Sequence, residues 1–224
     1  MNTNYYAKIF IKNVIFRLNS RRLSLTNHKQ VLRAVENAYI AMSPRTFVKV
    51  TPSAKIIQPA KEIVLSDLAK IFVEYFKAPA PKTQAEFDKW HKNTCEWFVK
   101  EFNASVMLPS GYKGIEYGKA QKIVNIAFKY LYLFCGIIPG HPGHFTFCHF
   151  AIDSVTLEWY KKTIDPSCSV KNWSDMSYDE YIEIQENIRT HIKKSISEKT
   201  PFEAEFEIWS DLYYGEDEID SQDD

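Results

Sequence analysis

Residues 117–134 read YGKAQKIVNIAFKYLYLF. Wound as an α-helix, this stretch gathers Lys119, Lys122, Asn125 and Lys129 into an arc of roughly 120°. Ile123, Val124, Ile126, Ala127, Phe128, Tyr130 and Leu131 fill most of the remaining circumference. A helix apolar on so many sides must be enclosed by other helices, and that requirement sets the fold class. Its polar strip has two readings: the solvent edge of a core helix, or one wall of a cleft. In a cleft, neighbouring ammonium groups and partial burial both disfavour protonation of a lysine, which is the condition an amine nucleophile needs.

Working outward, helical signals recur on both sides. Asn27 to Met42 repeats apolar residues at the helical period and stops at Ser43-Pro44. Residues 43–61 contain three prolines and short β-branched runs, which predict an irregular connection or a short extended pair. Ser66 is placed as the cap of a second helix ending at Lys77, and Thr83 with Glu86 forms a capping box for a third that reaches Phe102. Beyond the central helix and the loop GIIPGHPG, helices are expected from Ile152 to Thr163, Ser177 to Ser197 and Pro201 to Tyr214. About seven helices with little strand signal give an all-α fold. The expected organisation is one domain over residues 1–215 and an acidic, disordered tail over 216–224.

Composition narrows the function classes. With 45% hydrophobic and 15% aromatic residues, 224 residues suffice for one substantial core. No apolar run is long enough to span a bilayer, and the first residues lack the pattern of a signal peptide, so the expected location is the cytoplasm, without a membrane partner. Cys95, Cys135, Cys148 and Cys168 form no CxxC pair, which predicts reduced thiols. The net charge of zero hides an asymmetry: ten Lys/Arg against one acidic residue in 1–60, and five against sixteen in 171–224. The basic end is suited to DNA phosphates, or the two ends pair with each other, or they dock a protein partner.

The segment GKAQKIVNIAFKYLYLFCG, followed after a loop by FCHFAIDSVTLEWYKK, resembles the catalytic segment of helix-hairpin-helix DNA glycosylases, in particular the archaeal-type 8-oxoguanine DNA glycosylases. The likeness covers roughly the central fifth of the chain. In that family a lysine opens a hydrophobic helix and an aspartate stands at the mouth of the next one. Lys122 and Asp153 match those positions. The resemblance implies a helix-hairpin-helix domain that removes a damaged purine through a Schiff base on Lys122, assisted by Asp153, with strand cleavage by β-elimination and no cofactor. SGYKGIEYG, with Gly111, Gly114 and Gly118, stands where the family has its hairpin glycines, and HFAID replaces a more familiar proline-containing approach. DNA contacts are accordingly expected at Lys113, Gly114, Lys119 and Lys129, and a base pocket at Phe147, His149 and Trp173.

Plainer roles stand beside these. Asp153 precedes SVTLEWY as a good helix N-cap, a role compatible with catalysis. His149 between phenylalanines reads as a core side chain or as a group orienting Asp153. His141, His144, Cys148 and His149, with Cys135 upstream, fit no closed zinc template, so no metal is expected. Glu203, Glu205 and Glu207 read as a solvated face. Two other functions remain open: a DNA-binding module without chemistry, and a helical protein-interaction or defence-associated protein.

Overall fold

The computed structural model describes residues 24–42, 57–105, 114–134, 142–195 and 199–214. Lys113, Gly111, Cys135, His141 and the acidic end 215–224 lie outside the described residues, as does most of the basic first quarter. Among the described residues the secondary structure is helical, without a strand. The helices are α1 (His28–Ala41), α2 (Ile57–Lys77), α3 (Gln84–Ser105), α4 (Tyr117–Phe134), α5 (Pro142–Phe145), α6 (Ser154–Thr163), α7 (Tyr178–Ser195) and α8 (Pro201–Tyr214). A single 3-10 turn, Trp173–Asp175, precedes α7. None of these helices is long and apolar enough to cross a membrane.

Local chemistry explains most of the boundaries. Asn27 caps α1 by accepting the Gln30 backbone N–H at 3.3 Å, and Val31, Ala34, Val35 and Ala38 bury one face at helical spacing. Thr83 accepts the Glu86 N–H at 3.2 Å at the head of α3. Ser177 with Glu180 and Thr200 with Glu203 form reciprocal caps before α7 and α8.

One boundary differs from the sequence reading. Helix α2 begins at Ile57, so residues 57–61 are helical and Ser66 is internal to the helix rather than its cap. Pro59 is tolerated because it lies in the first turn, where backbone N–H groups have no intrahelical partner. The Ser66 side chain and carbonyl both meet the His28 Nε2 atom, at 3.3 and 3.0 Å, tying α2 to α1. Helix α5, which begins in the last two residues of the expected loop, is a single short turn that the sequence reading did not anticipate.

Helix α4 is the axis of the molecule. It packs against α1, α3, α7 and the 3-10 turn. Phe128 alone meets the rings of Phe72, Tyr75, Phe87 and Trp90 at centroid separations of 4.9, 5.4, 5.6 and 5.5 Å. Such edge and tilted aromatic contacts add to the gain from apolar burial. At the other end of the helix, Gly118 allows a close backbone approach. A Cβ placed there would sit 1.8 Å from the Trp173 carbonyl oxygen, and the Gly118 N–H donates to the Met176 carbonyl at 3.0 Å.

Phe150, Ala151 and Ile152 form an irregular buried segment entering α6. Buried backbone without a helix must find other partners, and here side chains supply all of them. Gln185 of α7 accepts the Phe150 N–H at 3.1 Å and donates to its carbonyl at 2.7 Å. Gln121 of α4 does the same for Ile152, at 3.2 and 2.6 Å. Between them, Ala151 donates to Glu205 of α8 at 2.8 Å and accepts from the Thr156 hydroxyl at 3.0 Å. Side chains from four helices thus fix the path of the chain into Asp153.

Candidate active site

Asp153 is the N-cap of α6 and sits where that path ends. Its Oδ1 accepts the backbone N–H groups of Val155 and Thr156 at 3.0 and 3.1 Å, while the Thr156 hydroxyl accepts the Asp153 N–H at 2.8 Å. The other oxygen, Oδ2, faces the Lys122 ammonium at 3.2 Å. The carboxylate therefore divides its work, one oxygen holding the helix and one meeting the amine. Lys122 and Asp153 keep 13% and 16% of their side-chain surface exposed, so the pair is mostly buried but retains contact with solvent. The Lys122 Nζ also stands 4.7 Å from the centre of the Trp173 ring, a cation–π contact supported by the packing of the 3-10 turn on Gly118.

Electrostatics keep this carboxylate ionised. Burial pushes Asp153 up, but the Lys122 charge, the Thr156 N–H, the Lys122 hydrogen bond and the Lys129 charge outweigh it and hold the group below the ordinary aspartate value.

Two turns along α4, Lys129 makes a second lysine–carboxylate contact. It pairs with Glu205, and both side chains are enclosed, at 3% and 2% exposure. Glu205 is pushed up to about 7 by burial, against the opposing pull of Lys129 and the Ala151 N–H. The reading of Glu205 as solvated is thereby corrected: α8 turns it inward between Phe202 and Phe206, which are buried with it. Glu207 is also engaged, with Lys199.

A third polar group lies behind the site. Asn125 donates to the Tyr181 hydroxyl at 2.8 Å and to Gln121 Oε1 at 3.0 Å, and its own oxygen meets His91 Nε2 at 3.0 Å. His149 meets Tyr181 through Nδ1 at 2.8 Å and Asp88 through Nε2 at 2.6 Å. His91 meets the Tyr117 hydroxyl through Nδ1 at 3.0 Å. The network is satisfied when both imidazoles are neutral and carry their proton on Nε2. Burial lowers both histidines, His91 well below its ordinary value.

The expected site residues thus fall into distinct settings. Lys122, Asp153 and Trp173 come together, the amine between the carboxylate and the ring. His149 is buried with both ring nitrogens engaged, as a core side chain would be. Phe147 is half-buried, and its carbonyl accepts from Gln84 at 3.0 Å. Lys119 is buried, and the Lys129 ammonium is turned to Glu205 rather than outward to where a phosphate would lie. Gly114 has φ +94, in the region that favours glycine, and a Cβ there would strike the Asn103 side chain at 2.5 Å. Among the described residues no group of three His, Cys, Asp or Glu side chains converges as a metal site. Gln121, Gln185 and Glu205, which organise the approach to Asp153, escaped the sequence reading.

Set against models of known families, curated proteins and solved structures, the chain matches none of them.

Proposed function

We propose that this protein is a DNA glycosylase with associated lyase activity, acting on a damaged or modified purine of the 8-oxoguanine kind through Lys122. The observation that carries the reading is the meeting of the Lys122 amine with Oδ2 of Asp153, both partly exposed to solvent, 3.2 Å apart across 31 residues of sequence. The resemblance of the central segment supplies the reaction class. Asp153 takes a proton from the ammonium, and the Nζ lone pair forms a bond to C1′ of the sugar as the bond from C1′ to the base breaks. The base leaves with the electron pair of that bond and with the proton returned by Asp153. One of the two protons left on Nζ passes to the ring oxygen O4′ as the C1′–O4′ bond breaks onto that oxygen, and the nitrogen lone pair closes the protonated Schiff base. Removal of a C2′ proton then breaks the C3′–O bond by β-elimination. Once it has returned its proton to the base, the ionised Asp153 stabilises the positive charge left on Nζ.

A duplex places C1′ out of reach of a recessed amine, so the nucleotide must be flipped out. The Trp173 ring beside Lys122 offers a stacking face for such a base. The burial of Lys119 and Lys129 removes two expected phosphate contacts from this reading and from the alternative of a DNA-binding module without chemistry alike.

Borohydride trapping on duplexes carrying 8-oxoguanine or an abasic site tests the proposal. A covalent adduct that disappears in Lys122→Ala is expected. Binding at low salt without any adduct transfers support to the non-catalytic module, and the absence of binding contradicts both readings, leaving a helical protein-interaction role.

A further inference from the structure

We infer that Gln121 is the positioning residue that sets the geometry between Lys122 and Asp153; the inference rests on the lysine mechanism proposed above. Gln121 is fully buried and uses every hydrogen-bonding position of its amide. Oε1 accepts from the Ile152 N–H and from Asn125 Nδ2, at 3.2 and 3.0 Å. Nε2 donates to the carbonyls of Ile152 and Gly118, at 2.6 and 2.9 Å. Two donors facing one end and two carbonyls facing the other fix which way the amide points.

The placement gives this group its significance. Gln121 is the chain neighbour of Lys122, and Ile152 is the chain neighbour of Asp153. One side chain therefore clamps the helix that carries the amine to the segment that carries the carboxylate, a single residue away on each side. The Gly118 carbonyl brings into the same clamp the turn on which Trp173 rests. Gln185 grips Phe150 in an equivalent two-bond fashion, yet it belongs to α7 and has no link to the amine. It is the natural control, since its loss removes the same number of backbone partners from the same segment.

Reacting groups misplaced by about 1 Å lose about 100-fold in rate. Gln121→Met is therefore expected to slow borohydride-trapped adduct formation by about 100-fold with DNA affinity unchanged, whereas Gln185→Met slows it only a few-fold. Equal slowing in both variants, or none in Gln121→Met, overturns the inference. If Gln121→Met does not fold, Gln121→Asn takes its place: it keeps the amide but is one methylene short of Ile152, and the same comparison with Gln185→Met decides. If the wild-type protein forms no adduct, the lysine mechanism has failed, and the clamp is then judged by NMR on reductively 13C-methylated protein. A displaced Lys122 methyl signal in the Gln121 variant alone upholds the clamp, and any other pattern overturns it.

Discussion

Helix α4 carries two lysine–carboxylate pairs two turns apart, and they are built to different ends. Lys122–Asp153 keeps some contact with solvent, with its carboxylate held below the ordinary value. Lys129–Glu205 is enclosed, with its carboxylate pushed up to about 7. Each acid has a lysine within contact, but Asp153 feels the Lys129 charge as well as that of Lys122, and its own charge helps to push Glu205 up. Asp153 receives helix N-cap hydrogen bonds in addition and keeps some access to water, whereas Glu205 gains one backbone N–H and loses its solvent. Burial favours the neutral acid; at Asp153 the Lys122 charge first, and the capping Thr156 N–H after it, restore the ionised form. An accessible, ionised pair is equipped for proton transfer at a substrate, while an enclosed one ties α8 to the Ala151 segment.

Substitutions at the two lysines should separate these roles most widely. Lys129→Ala leaves Glu205 buried without its partner, and the expected loss is about 3–5 kcal/mol in urea unfolding. Lys122→Ala leaves Asp153 its two N-cap hydrogen bonds and some contact with solvent, and should cost less than Lys129→Ala while abolishing any covalent adduct. Similar stability losses for the two would erase the distinction.

Next in size is the backbone approach behind Lys122. Gly118→Ala drives a methyl into the Trp173 carbonyl, and overpacking of this kind costs about 1–3 kcal/mol. Tryptophan fluorescence should report displacement of the turn. An unchanged spectrum together with unchanged stability would show that the contact yields freely.

Asp153 offers a finer dissection of its divided carboxylate. Asn preserves the capping oxygen and Ala does not, so Asp153→Ala should be less stable than Asp153→Asn by about 1 kcal/mol, with adduct formation lost in both. Retained chemistry in Asp153→Asn would assign the residue to capping alone.

The pH dependence carries a definite sign. Glu205 is raised from 4.5 to about 7, so the folded state holds its proton more tightly; this contribution is present below pH 4.5 and fades as pH rises through about 7. His91 and His149 are lowered from 6.5, so their contribution is present above pH 6.5 and is lost as pH falls. The two trends oppose each other between 4.5 and 6.5. Glu205→Gln should therefore steepen the gain in stability with pH across that window, as measured by unfolding at a series of pH values. A slope unchanged from wild type would place the Glu205 proton outside this account.

Much of this arrangement could be read from residue order, for identifiable reasons. The all-α class followed from helical periods and caps that depend on local chemistry, and the juxtaposition of Lys122 with Asp153 followed from the resemblance. Pro59 concealed the first turns of α2, because a proline in a first turn and one in a loop look alike in sequence. Glu205 was legible in principle: Phe202, Glu205, Phe206 and Trp209 follow the i, i+3, i+4, i+7 spacing of an inward face. The alternation of Glu203, Glu205 and Glu207 masked it. Nothing local marks Gln121 or Gln185, whose roles arise only when Phe150 and Ile152 arrive from elsewhere in the chain without a helix to satisfy them.

The most direct measurement is the position of the covalent bond. Protein incubated with an 8-oxoguanine or abasic duplex under borohydride, digested, and sequenced by tandem mass spectrometry should carry the reduced sugar adduct on Lys122, and on no other lysine. An adduct mapped to Lys119, Lys129 or a lysine outside α4 would contradict the assignment of the nucleophile.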